Sequence, residues 1–86
     1  MNEKNLFTEA LERIPSDISR RVDLSMSISD RIAAILKSRG MTPKELAKSM
    51  GRSDAEVSRW LGGMHNFTLA TIAKIEAFLG EHILSV

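Results

Sequence analysis

Two histidines, His65 and His82, and no cysteine in 86 residues leave little material for a metal centre or a covalent nucleophile. Zinc ligands on helices stand three or four residues apart and are joined by thiolates or further histidines. These two histidines are far outside that spacing. Catalysis needs a base, a nucleophile and an orienting group converging in a pocket, and a chain this short offers neither the pocket nor a histidine beside a plausible acid pair. An enzyme, a cofactor and a metal are therefore not expected. With most chemistry excluded in this way, binding is left as the function.

The elements of the chain belong to one small domain, since a chain of this length buries only about 60% of its unfolded surface. Without disulfides, its stability must come from apolar packing, aided by a partner subunit where the core is small. Twelve basic and eleven acidic residues leave a net charge of +1, too balanced to announce a nucleic-acid binder. The distribution is less even: residues 1–30 carry four basic and six acidic side chains, and residues 31–86 carry eight and five. No apolar run approaches the roughly 18 residues of a membrane span, and the polar opening Met1-Asn2-Glu3-Lys4-Asn5 lacks the order of a secretory signal. The expectation is a cytoplasmic protein without a membrane partner.

Apolar residues recur at three and four rather than two, which predicts an all-α chain. Leu6, Phe7, Ala10, Leu11 and Ile14 suggest a first short helix closed by Pro15. Ile18 and Val22 suggest another turn before Met26, after which the serines of Ser25-Met26-Ser27-Ile28-Ser29 offer alternative caps. With Ser27 as cap and Asp30 in the first turn, a clearer helix buries Ile28, Ile32, Ile35 and Leu36 and ends at Gly40. Thr42-Pro43-Lys44-Glu45 opens the next as a capping box with proline at its first position, and Leu46, Ala47 and Met50 form its inner side. Gly51 stops it. Ser53-Asp54-Ala55-Glu56 then gives a second capping box for a helix whose Val57, Trp60 and Leu61 face inward. After Gly62-Gly63, Thr68 caps a last helix carrying Ile72, Ile75 and Leu79 to Gly80. This divides the chain into a helical leader or arm, 1–26, and a domain, 27–86, with its central motif at about 43–62.

Two short helices separated only by Gly51 and Arg52 must cross steeply, because a glycine turn that tight does not allow a long antiparallel hairpin. The stretch MTPKELAKSMGRSDAEVSRW, Met41 to Trp60, resembles the helix-turn-helix of the Cro and phage-repressor family, the XRE-type regulators. Ala47, Gly51, Val57 and Trp60 meet its pattern of a small residue, a turn glycine, an aliphatic residue and a large apolar residue. The resemblance implies a lambda-repressor-like bundle of four to five short helices. The continuation Gly63-Met64-His65-Asn66-Phe67-Thr68 is similar to antitoxins of the HigA type. Two departures stand out: Pro43 occupies the place of a phosphate-bracing glutamine, and Arg52 that of an aliphatic residue.

The resemblance implies that the helix from Ser53 to Leu61 enters the major groove of double-stranded operator DNA, with Asp54, Ala55, Ser58 and Arg59 meeting base edges. Arg59 is the leading candidate, because its planar fork matches the O6 and N7 acceptors of guanine. Lys44, Arg52, Ser53, His65 and Asn66 are the candidates for phosphate contacts. Asp54 and Glu56 also have structural roles available, as first-turn anion and capping-box partner, and Trp60 is expected in the core. The family further implies a homodimer on a palindromic operator, autoregulating its own operon. Leu6, Phe7, Leu11 and Ile14, flanked by acids, are candidates for binding a small basic toxin, for a dimer seam, or for covering the core. An alternative function is a protein-interaction module, toxin-neutralising or scaffolding, whose helix-turn-helix does not bind DNA.

Overall fold

The computed structural model describes residues 12–85, and among these there are helices and no strand. Helix α1 runs Ser16–Arg39, α2 Pro43–Met50, α3 Asp54–Leu61 and α4 Leu69–Leu79. The core draws on all four: Ile28, Ile32, Ile35 and Leu36 from α1, Leu46 and Ala47 from α2, Val57 and Trp60 from α3, and Ile72, Ile75 and Leu79 from α4. The all-helical, lambda-repressor-like expectation holds.

One boundary differs. The expected helix start at Ser27 does not exist, because α1 passes through the serine-rich stretch unbroken. Serines near a helix start offer local caps, but Ser25 and Ser29 lie four apart on the side that continues into Ile28 and Ile32, and both are buried. Packing of that face outweighs the local preference, as tertiary context routinely outweighs propensity. The half of α1 before Ser25 is largely exposed, Ile18 and Leu24 each by about 40%, and so is Ile14 ahead of it. Ile14 therefore does not cover the core. Leu6, Phe7, Ala10 and Leu11 lie outside the described residues.

The local signals at the other ends are realised in detail. Thr42 Oγ1 accepts the Glu45 amide at 3.1 Å, and Glu45 Oε1 accepts the Thr42 amide at 3.0 Å. These bonds favour the charged carboxylate and hold Glu45 below the usual carboxyl range. Gly51, at φ 67°, ends α2 in the left-handed conformation that an L side chain adopts only with strain. The second capping box forms only in part: Ser53 Oγ accepts the Glu56 amide at 3.1 Å, but the Glu56 carboxylate turns to Arg52 at 3.2 Å. A guanidinium within reach outcompetes a backbone amide for that oxygen.

The tail after Gly80 is strapped to the bundle rather than free. Arg39 donates to the Leu79 carbonyl and to Glu81, and Arg31 donates to the His82 carbonyl. Glu76 Oε2 accepts the amides of Ile83 and Leu84 at 2.7 and 2.9 Å, and those bonds hold its carboxyl below the ordinary value. Because the folded value is depressed, the stabilisation is present above the unfolded value near 4.5 and is lost as pH falls through the folded one. We expect the thermal midpoint to fall between about pH 6 and pH 3, and to fall less steeply in Glu76→Gln. Equal slopes in the two proteins would count against this strap.

Candidate nucleic-acid interface

Helices α2 and α3 pack on each other more closely than any other pair. Ala47, 1% exposed, is buried from α2 together with Leu46, and Val57 and Trp60 join them in the core from α3. A helix with one face buried must present the other, and the exposed residues of α3 are Asp54, Ala55, Ser58 and Arg59. The four candidates for base contacts thus share one solvent-facing side, opposite Val57 and Trp60. Arg59 makes no ion pair among the described residues.

The phosphate candidates are more dispersed. Arg59, Gly62, Met64, His65 and Asn66 line one open groove of about 360 Å³, so Arg59 is brought together with His65 and Asn66. The His65 ring meets the Phe67 ring edge-on, with centroids 4.7 Å apart. Lys44 is exposed in the first turn of α2. Ser53 is exposed, with its oxygen engaged in the cap of α3. Arg52 is half-buried and tied to Glu56, so its charge is already partnered. The exposed face of α3 is in consequence close to neutral, with Arg59 against Asp54.

Two neighbours escaped sequence reasoning. Arg21, with Val22, Ser25, Met64 and Asn66, lines a smaller cavity of about 160 Å³ on the other side of Asn66. Ser29 reaches α3 from α1: its hydroxyl donates to the Trp60 carbonyl at 2.6 Å and accepts the Gly63 amide at 3.2 Å. The signal for both was the spacing of Arg21, Ser25 and Ser29, each four residues from the next and so on one helical face. That face is visible only when α1 is taken as continuous.

The pattern of the Helix-turn-helix family matches residues 32–85, more than half of the chain. Neither a curated protein nor a solved structure matches it. The matched span contains the α2–α3 pair, its glycine turn and the exposed side of α3. Enzymatic activity is not usual in this family. With that match added to the geometry, the chain belongs to the XRE-type helix-turn-helix family, which points to a DNA-binding transcriptional regulator.

Proposed function

We propose that the chain is a sequence-specific repressor that binds double-stranded operator DNA as a homodimer and represses its own operon by occupying it. The observation that carries this reading is the exposed side of α3, where Asp54, Ala55, Ser58 and Arg59 stand together beside the groove of His65 and Asn66. Each α3 would enter one major-groove half-site, with the two half-sites about 10 base pairs apart or a multiple of that. Lys44, Ser53, His65 and Asn66 would position the protein on phosphates, and Arg52 would join them only by leaving Glu56. Titration of duplex DNA from upstream of the gene and of a scrambled duplex, each at two salt concentrations, tests this. Preference for the upstream duplex and affinity that falls with salt are expected; binding indifferent to both would overturn the reading.

The dimer seam fits α4. Lys74 and Glu76 are its only charged residues, and Leu69, Ala70, Ala73, Ala77 and Phe78 are exposed on the arc away from the core. A helix apolar on nearly all sides is normally buried on all of them. Ala77→Glu is expected to halve the sedimenting mass; a variant that stays dimeric would exclude this face.

We further infer an antitoxin role in the cytoplasm. The stretch 1–26, acidic in balance and carrying Leu6, Phe7, Leu11 and Ile14, suits a small basic toxin encoded next to it. Co-expression with the product of the adjacent reading frame tests this, and deletion of residues 6–14 should abolish co-purification. The Arg52–Glu56 pair favours one second reading, an interaction module whose helix-turn-helix does not bind DNA, because it neutralises the cation in the turn just ahead of α3. Failure of the duplex titration together with toxin binding would select it.

A further inference from the structure

We propose that Ser29 is a positioning residue for the reading helix, acting as a long-range cap that fixes the end of α3 and the direction of the loop after it. This rests on the DNA-binding reading above. The last carbonyls of any helix lack intrahelical partners and need another donor. Three helices here solve this with a left-handed glycine: Gly40 at φ 62°, Gly51 at φ 67° and Gly80 at φ 69°. Helix α3 does not. Gly62 stays right-handed at φ −77° and ψ −12°, and its amide reaches only the Arg59 carbonyl.

The missing closure comes from α1. Ser29 is 2% exposed, and its hydroxyl donates to the Trp60 carbonyl while accepting the Gly63 amide, spanning 31 and 34 residues of sequence. A serine inside a helix ordinarily bonds a carbonyl of its own preceding turn or points to water. Here the hydroxyl is spent on another helix. The two bonds straddle Gly62, so they set both where α3 stops and how the chain leaves it. A Cβ built on Gly63, at φ +89°, would lie 3.7 Å from Met26 Cγ, placing a second residue of α1 against the same turn. Arg59 is one residue before Trp60, and His65 and Asn66 are two and three after Gly63. Ser29 therefore holds the base-facing arginine and the loop in one fixed relation without touching either.

The test compares Ser29→Ala and Ser29→Thr with the wild type, using amide hydrogen exchange and binding to the upstream and scrambled duplexes. In Ser29→Ala, exchange should quicken at residues 60–66 while α2 and α4 keep their protection. The preference for the upstream duplex should fall about tenfold with affinity for the scrambled one unchanged. Ser29→Thr, which keeps the hydroxyl, should restore both. If Ser29→Ala melts lower but keeps the wild-type preference, or loses protection evenly, the residue is merely structural and the proposal is overturned. A wild type that binds all duplexes alike overturns the DNA reading and this proposal with it, whereas a preference that survives Ser29→Ala overturns this proposal alone.

Discussion

Trp60→Ala is expected to cost about 3–5 kcal/mol of folding stability. At about 0.05–0.15 kcal/mol per residue, a chain of this size holds on the order of 4–13 kcal/mol in all, so the variant loses a large share of it. Trp60 is 1% exposed and the largest of the fully buried side chains. It also sits on the same helix as Arg59, with α1 fastened to its carbonyl. Its indole N–H is buried without an acceptor among the described residues, and an unpaired donor of that kind costs about 1–3 kcal/mol. Trp60→Phe, which removes that donor and keeps most of the ring, should therefore cost only about 1 kcal/mol. Urea unfolding followed by circular dichroism measures both. A Trp60→Ala loss under about 1 kcal/mol would mean that the core does not depend on this side chain.

The same helix shows what could be read without coordinates and what could not. Its start, its exposed residues and its buried ones follow from signals within one or two turns: a serine cap, a period near 3.6, a glycine on either side. Thr42, Glu45, Gly51 and Thr68 were legible for the same reason, since each acts on a backbone group three or four residues away. The continuous α1 was hidden because its serines carry a local preference for caps that only burial against α3 overrides. Glu56 was misdirected for a related reason: its backbone-capping geometry is local, but its charge is drawn to Arg52. The spacing of Ser29 from Arg21 and Ser25 gives its face but not its partners, which lie more than thirty residues away and become neighbours only after the bundle has formed. For the candidate site, then, the exposed side of α3 could be read, whereas the parts that aim it could not.

The interface itself is tested most sharply at Arg59. Exposed and without an ion pair among the described residues, it has all its donors available, while Arg52 must first give up Glu56. A bidentate contact to guanine contributes about 1–3 kcal/mol of discrimination, so Arg59→Ala should weaken binding to the upstream duplex about five- to 150-fold. Binding to the scrambled duplex should fall far less. Arg59→Lys should not restore the preference, because an ammonium supplies the charge without the planar fork. Arg52→Ala should leave the preference in place and change the salt dependence little, since its charge is already offset by Glu56. An Arg59→Ala variant that loses affinity equally for both duplexes, with the salt slope reduced by about one, would move Arg59 from the bases to a phosphate. In that case discrimination would fall to Asp54, Ala55 and Ser58, whose single polar and methyl contacts offer less of it than a guanidinium fork. Close to neutral as the exposed face of α3 is, a regulator built on it depends on where one arginine points more than on how much positive charge it carries.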